Sequence, residues 1–184
     1  MKVALTGQNG TIGKSIGESL ARAGHEVLGI SRATGYDLMN GKDLMRAVEV
    51  ITPCEMFVNC AHVGYQQANL TQHVGLAWKN SASKRIILFS STAVHSLRPD
   101  HPFYTSQKGA AETVAMNIHN SQEAPKMTII RFGTVDVPER PDLKGPKMKP
   151  HDLVNTFEFV LSQSPTCAIF EITLSHPDLR FNLI

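Results

Sequence analysis

The sequence lacks the features that mark several large classes of protein. Its 184 residues contain no apolar run close to the roughly 20 residues that a membrane span requires. The three cysteines, Cys54, Cys60 and Cys167, have no CxxC spacing, and the eight histidines form no HExxH pattern. Cys60 and Cys167 fall in apolar, strand-like runs. We therefore expect buried free thiols rather than a disulfide or zinc site, and no bound metal.

Neither positively nor negatively charged residues predominate in the sequence. The formal net charge is only +2, and Lys and Arg are spread evenly, which argues against a nucleic-acid or anionic-membrane surface. The first residues, MKVALTGQNG, reach a glycine turn too early for a secretory signal. With 42% hydrophobic and 18% charged residues, the chain predicts one globular domain over residues 1–184. We expect it to be cytoplasmic, with no nucleic-acid or membrane partner.

Short apolar runs alternate with helical patterns along the whole chain. The runs predict strands, and the segments between them have the spacing of amphipathic helices. The predicted strands are 2–5, 26–30, 55–60, 85–90, 127–132 and 168–174, and the predicted helices are 11–23, 42–52, 66–80, 103–119 and 151–162. This alternation predicts an α/β fold, a Rossmann-like doubly wound parallel β-sheet with helices on both faces. The proline-rich piece 137–150 is expected to be a surface loop of the same domain.

Glycine and small polar residues follow the predicted strands, where ligands bind in sheets of this kind. The first strand leads into TGQNGTIG, with Gly7, Gly10 and Gly13 between a strand and a helix. Such a turn lets the backbone approach a pyrophosphate, which the N–H groups at the start of the following helix then bind. The motif predicts a nucleotide site, although a tight strand-to-helix turn alone would also place glycines there.

The end of the second strand indicates which dinucleotide would bind. An acidic residue at this point would bind the ribose hydroxyls of NAD, but the chain has Ser31 and Arg32, which suit a 2′-phosphate. The sequence therefore favours NADP(H), with NAD(H) as the alternative. Asp37 follows, where it could accept a hydrogen bond from the adenine amino group or cap the helix that begins near residue 42.

Tyr104 and Lys108 lie four residues apart at the start of a predicted helix, in a chain with only three tyrosines. Positions i and i+4 share a helix face, so the phenol and the ammonium can reach one point in space. A nearby ammonium favours the phenolate and would bring the tyrosine pKa from about 10 toward neutral. The alternative is an ordinary amphipathic helix with a solvated lysine.

Together these motifs resemble the short-chain dehydrogenase/reductase family. The matching pieces are TGQNGTIG, VNCAH, FSST, the YxxxK instance YTSQK, and RFGTVDVP after the fifth strand. The glycine spacing is nearer to that of the extended and atypical members. The resemblance implies an NADP(H)-dependent oxidoreductase that transfers a hydride between the nicotinamide and a small carbonyl or alcohol substrate.

The family's catalytic residues carry over onto four positions. Tyr104 would exchange the proton, Lys108 would lower its pKa and hold the nicotinamide ribose, and Ser91 would bind the substrate oxygen, with Ser90 and Thr92 as alternatives to Ser91. The relay asparagine best matches Asn69; Asn59 is the competitor, although fixing strand ends suits it better. We assign no role to His62, His95 or His101.

The resemblance also implies cofactor contacts along the strand ends. The predicted set is Thr6, Gly7, Asn9, Gly10, Thr11, Ile12, Gly13, Ser31, Arg32, Asp37, Leu38, Asn59, Cys60, Ala61, Tyr104, Lys108, Phe132, Gly133, Thr134 and Val135.

Two other functions and a mode of assembly stay open at this point. The chain could be a non-catalytic dinucleotide-binding sensor, or an isomerase resembling the nucleotide-sugar epimerases. The small residues Gly109, Ala110, Ala111 and Ala115 on the helix 103–119 predict close helix packing in a homodimer.

Overall fold

The computed structural model describes residues 1–96, 101–164 and 166–178. Within these ranges, six parallel strands form one sheet in the order β2-β1-β3-β4-β5-β6. The strands are β1 Lys2–Thr6, β2 Glu26–Ile30, β3 Met56–Asn59, β4 Arg85–Ser91, β5 Lys126–Phe132 and β6 Glu171–Leu174. The predicted doubly wound parallel sheet is confirmed.

Helices follow the strands on both sides of this sheet. They are α1 Thr11–Arg22, α2 Gly41–Ile51, α3 Gln66–Ala77, the short α4 Ala93–Ser96, α5 Pro102–His119 and α6 Pro150–Leu161, with a 3-10 turn at Arg32–Thr34. None of the helices in the described ranges is long and apolar enough to cross a membrane.

Two apolar cores lie on opposite faces of the sheet. On one face α1 and α6 pack together, and Phe157 of α6 lies against Phe89 of β4. On the other face α2, α3 and α5 cover the sheet around Phe57 and Trp78, neither of which has exposed surface. The central strands are buried from both sides, which explains why they appear in the sequence as nearly continuous apolar runs.

The order of the strands places the ends of β1 and β3 side by side. The chain leaves β1, crosses to β2 at one edge, and returns past β1 to form β3, which is the kind of switch point where such sheets bind ligands. The two ends are tied together by the buried Thr6 hydroxyl, which donates to Asn59 Oδ1 at 2.9 Å and accepts from the Ala61 N–H at 3.1 Å. The loops after β1 and β3 are therefore held in one place.

A buried ionic cluster fastens α5 to the sheet. Arg131 of β5 makes a bidentate pair with Glu112 of α5 at 2.8 and 2.9 Å, and a third bond with Glu171 of β6 at 2.8 Å. Ser90 of β4 donates to the same Glu112 carboxylate. Because Glu112 and Arg131 are almost fully buried, each neutralises a charge that would be costly alone.

One local expectation is wrong, and one of two alternatives for Asp37 is ruled out. Cys54, Cys60 and Cys167 are free thiols, but Cys167 is exposed because β6 begins only at Glu171, which leaves the cysteine in the preceding loop. The helix near residue 42 is capped by Asn40 rather than Asp37, since the Asn40 side chain accepts from the Lys42 N–H at 2.9 Å.

Candidate active site

Two of the three glycines after β1 are required by the fold itself. Gly7 has a left-handed φ of +78°, and a Cβ there would lie 3.0 Å from the Ala61 nitrogen. A Cβ on Gly13 would come within 2.0 Å of the Gly7 carbonyl oxygen. Gly10 differs, because its backbone is extended and the nearest atom to a Cβ is 3.7 Å away. The turn therefore needs Gly7 and Gly13, whereas Gly10 has no internal steric reason to be glycine.

The N-terminus of α1 already binds an anionic group of the same chain. The backbone N–H and the hydroxyl of Thr11 both donate to the Glu139 carboxylate at 2.8 Å. These hydrogen bonds hold the pKa of Glu139 below its ordinary value. An anion is thus accommodated where the free N–H groups and the dipole of a helix favour phosphate binding.

The end of β2 presents polar and basic groups. The Ser31 hydroxyl accepts from Gln8 Nε2 at 3.1 Å and from Asn9 Nδ2 at 3.3 Å, which joins it to the glycine turn. Arg32 is exposed. Gln8 Oε1 is buried and has no hydrogen-bond partner among the described residues. A polar ligand donor is one group that could satisfy that oxygen.

Asp37 lies further along this loop. It is exposed, and its carboxylate accepts from the Met39 N–H at 3.1 Å.

Tyr104 and Ser91 meet at the end of β4. Ser91 is the last residue of the strand, Tyr104 lies in the first turn of α5, and Ser91 is close enough to the phenol to act on its pKa. Burial raises the pKa of Tyr104 above its ordinary value, against the smaller opposing effects of Ser91 and Arg140. The expectation that Lys108 brings this pKa toward neutral is therefore wrong. Ser90 points to the opposite side, as neighbours in a strand do, and binds Glu112. Of the two adjacent serines, Ser91 is the one that faces Tyr104.

Lys108 is buried rather than solvated, with 3% of its surface exposed. Its ammonium donates to Gln67 Oε1 at 2.9 Å and to the Phe89 carbonyl at 3.0 Å, between the ends of β3 and β4. Burial lowers the pKa of Lys108 to about 8, despite smaller opposing effects of Cys60 and Glu112. The alternative in which Lys108 is an ordinary solvated residue is therefore wrong.

Asn69 does not take part in this arrangement. It is exposed on α3, and its amide donates to Gln66 Oε1 at 2.8 Å. Asn59 is buried and ties β3 to α3 by donating to the Gln67 carbonyl at 3.1 Å and to the Thr71 hydroxyl at 2.9 Å. The side chain that contacts Lys108 is Gln67, which the sequence analysis missed.

His62 packs against the candidate tyrosine. The rings of His62 and Tyr104 meet edge to face with their centres 4.9 Å apart. His62 is exposed as a residue, but partial desolvation of its ring and, to a smaller extent, the Lys108 charge lower its pKa to about 4, which favours the neutral ring at physiological pH. Burial raises the pKa of Cys60 to about 12, which keeps its thiol protonated.

The remaining predicted cofactor residues lie in the segments that follow the strands and differ in their exposure. Leu38 and Val135 are buried, and partly buried positions are Ile12, Cys60, Ala61, Phe132, Gly133 and Thr134. After β5 the chain is fixed by the Gly133 N–H, which donates to the Leu174 carbonyl at 2.9 Å, and by the Met148 N–H, which donates to the Thr134 carbonyl at 2.9 Å. This segment leads into the loop that carries Glu139 and Arg140.

The six-stranded parallel sheet and the glycine turn at its switch point define a Rossmann-like domain. Residues 3–98 match the NAD dependent epimerase/dehydratase family, and the chain belongs to that family. No curated protein matches the chain in sequence.

Solved structures share the fold at low sequence identity. An alcohol dehydrogenase from the archaeon Thermococcus sibiricus, complexed with 5-hydroxy-NADP, has a TM-score of 0.83 and 15% identity, with 97% of each chain covered. A 3-alpha-hydroxysteroid dehydrogenase from Pseudomonas sp. B-0831, complexed with NADH, has a TM-score of 0.77 and 17% identity, with 95% of each chain covered. A serine dehydrogenase from Escherichia coli has a TM-score of 0.77 and 16% identity, covering 95% of this chain and 97% of the other.

Proposed function

We propose that the protein is an NADP(H)-dependent oxidoreductase that interconverts a small carbonyl compound and its alcohol. The observation that carries this proposal is that Tyr104 neighbours Ser91 at the end of β4 and lies four residues before the buried Lys108 on α5. Proton transfer to a substrate oxygen needs a proton donor and a nearby group that stabilises the developing charge. The hydroxyls of Tyr104 and Ser91 and the buried ammonium of Lys108 are groups of these kinds. The dinucleotide complexes among the structural neighbours support a nicotinamide cofactor.

The residues present fit a dinucleotide. Gly7 and Gly10 allow close approach of the turn, and the N-terminus of α1 already holds the Glu139 carboxylate where a pyrophosphate would bind. Ser31 and Arg32 would hold the 2′-phosphate of NADP, since no carboxylate occupies that strand end. When bound, the nicotinamide would supply or accept the hydride.

The protein's own groups would manage the proton and the charge. The Ser91 hydroxyl would hold the substrate oxygen, and the Tyr104 phenol would donate the proton that this oxygen gains on reduction. The raised pKa keeps Tyr104 protonated at neutral pH, which suits the direction of reduction. The Ser91 hydroxyl and the positive charges of Lys108 and Arg140 would stabilise the phenolate that remains.

The test of this proposal is Tyr104→Phe, with turnover measured as carbonyl-dependent NADPH oxidation over a panel of small aldehydes and ketones. The variant loses the proton donor and keeps the ring, so turnover should fall by about 100-fold or more while NADPH affinity barely changes. Tyr65→Phe is the matched control, because the exposed Tyr65 hydroxyl bonds only Ser106 among the described contacts, at 2.9 Å. Full activity in Tyr104→Phe would refute the mechanism.

The cofactor preference rests on Arg32. A charged hydrogen bond to the 2′-phosphate should make NADPH bind more tightly than NADH by about 1.5–3 kcal/mol, and Arg32→Ala should remove most of that difference. Arg22→Ala, at the exposed end of α1, is the control for a general loss of positive charge. If Arg32→Ala keeps the NADPH preference, another residue binds the phosphate.

The family match favours a second candidate function, an epimerase or isomerase that uses the same residues and returns the cofactor unchanged. This candidate predicts that nucleotide sugars raise the thermal stability of the protein and are converted without net consumption of NADPH. A sensor without catalysis would instead bind NADPH and turn over nothing in either assay.

A further inference from the structure

Gln67 joins three parts of the candidate site through one side chain. It is the second residue of α3, and 2% of its surface is exposed. Its amide nitrogen donates to the Asn59 carbonyl at 3.2 Å and to the Phe89 carbonyl at 3.0 Å. Its amide oxygen accepts from the Lys108 ammonium at 2.9 Å. The end of β3, the end of β4 and α5 are thus linked by a single buried amide.

The neighbours fix the orientation of that amide. Both groups beside Gln67 Nε2 are carbonyl oxygens, which only accept, and the group beside Oε1 is an ammonium, which only donates. A flipped amide would place oxygen against two carbonyls and NH₂ against the ammonium, leaving every contact unsatisfied. Gln67 therefore presents an acceptor to Lys108 and cannot present anything else.

The charges around Lys108 show why a neutral acceptor matters. Desolvation leaves the Cys60 thiol with a pKa of about 12 and the His62 ring with a pKa of about 4, so both are neutral near pH 7. The nearby carboxylate of Glu112, whose charge favours the ammonium, forms its hydrogen bonds with Arg131 and Ser90. The ammonium is therefore held by uncharged oxygens, and its positive charge stays available to a ligand.

We propose that Gln67 is a positioning residue, which holds the Lys108 ammonium at the junction of β3 and β4. Its neutral amide oxygen stabilises the charged form of the lysine and adds no negative charge beside it. This inference rests on the proposed function, in which the ammonium would stabilise the Tyr104 phenolate, and on the role at the nicotinamide ribose that the family resemblance implies for Lys108. An apolar residue would leave the ammonium short of an acceptor. A carboxylate would neutralise it.

The test is the pH dependence of NADPH affinity in the wild type, Gln67→Met and Gln67→Glu. Because the folded-state pKa of Lys108 is about 8, wild-type affinity should be full below that pH and fall as pH rises through it. Methionine removes a hydrogen bond to the charged form, so the midpoint should move down by about one unit or more. Glutamate favours the charged form, so its midpoint should move up.

Thr71→Val is the matched control. Thr71 is fully buried one turn further along α3, and its hydroxyl donates to the Gln67 carbonyl at 2.8 Å and accepts from Asn59 without contacting Lys108. This variant should lower the melting temperature and leave the midpoint of the affinity profile unchanged. Opposite shifts in Gln67→Met and Gln67→Glu, with none in Thr71→Val, are the expected result.

Two results would overturn the inference, and they are distinguishable from each other. If the pH profile of NADPH affinity has a midpoint near pH 8 in the wild type and the same midpoint in Gln67→Met, the role of Gln67 is refuted and the proposed function stands. A wild type that fails to bind NADPH at any pH would refute the proposed function together with it.

Discussion

Gly10 and Gly13 allow the requirements of the fold to be separated from those of the ligand. At Gly13 a methyl group would lie 2.0 Å from the Gly7 carbonyl oxygen, a backbone atom that cannot turn aside. At Gly10 the backbone has a φ of −85° and a ψ of 158°, which any residue adopts, and a methyl group would have its nearest neighbour at 3.7 Å. Alanine should therefore be costly at Gly13 and tolerated at Gly10.

The magnitudes follow from these distances. Forcing the backbone apart at Gly13→Ala should cost about 3 kcal/mol or more, which for a chain of this size lowers the melting temperature by about 6–12 °C. At Gly10→Ala a gain of about 0.4–1 kcal/mol from a stiffer unfolded chain is offset by the poorer capping of alanine at the start of α1. The net change should stay within about 1 kcal/mol of zero.

The assay is thermal unfolding with and without NADPH at about 100 times the wild-type Kd. Wild-type protein should gain about 2.7 kcal/mol, or roughly 5–11 °C. Gly10→Ala should melt like the wild type without ligand yet show most of this shift lost, since the methyl group would occupy space that the pyrophosphate needs. A full NADPH shift in a stable Gly10→Ala protein would refute close approach of the dinucleotide at this turn.

Three further outcomes are expected. Glu139→Gln should tighten NADPH binding up to about fivefold in a fluorescence titration, because an exposed anion that competes for the Thr11 donors is removed; weaker binding would contradict this. Glu112→Leu should lower the free energy of unfolding in urea by about 3 kcal/mol, because it leaves the buried Arg131 short of its bidentate partner, and a loss below 1 kcal/mol would argue against a stabilising pair. Light scattering at micromolar concentration should give a homodimer mass, and a monomer mass would count against the prediction.

The strands could be predicted from sequence because burial on both sheet faces produces continuous apolar runs. Five of the six strands begin and end within one residue of their expected bounds. The exception is β6, expected over 168–174 and found at Glu171–Leu174. The carbonyls of Ile169 and Phe170 accept hydrogen bonds from β5 residues, but the paired register begins only at Glu171. Apolar composition alone cannot show where pairing starts.

The candidate site was predictable where its residues are close in sequence. The i, i+4 spacing placed Tyr104 and Lys108 on one helix, and the alternation along β4 separates Ser91 from Ser90. The partner of Lys108 was missed because the buried side of α3 carries polar residues, Gln67 and Thr71. Leu70 and Val74 mark the inward side of the helix, and Gln67 shares that side because it lies three residues before Leu70. Asn69 was preferred because the resemblance implied an asparagine.

The buried cluster that fastens α5 to the sheet also constrains how this sequence can change over evolutionary time. Loss of Arg131 leaves the buried Glu112 carboxylate without its cation, and loss of Glu112 leaves the buried Arg131 with Glu171 alone. Exchanging both for apolar residues of similar volume should be tolerated better. Neutral drift at these two positions must therefore pass through a deleterious single variant or through simultaneous changes. Among related sequences, we expect the two positions to vary together or hardly at all, even where the surrounding surface diverges freely.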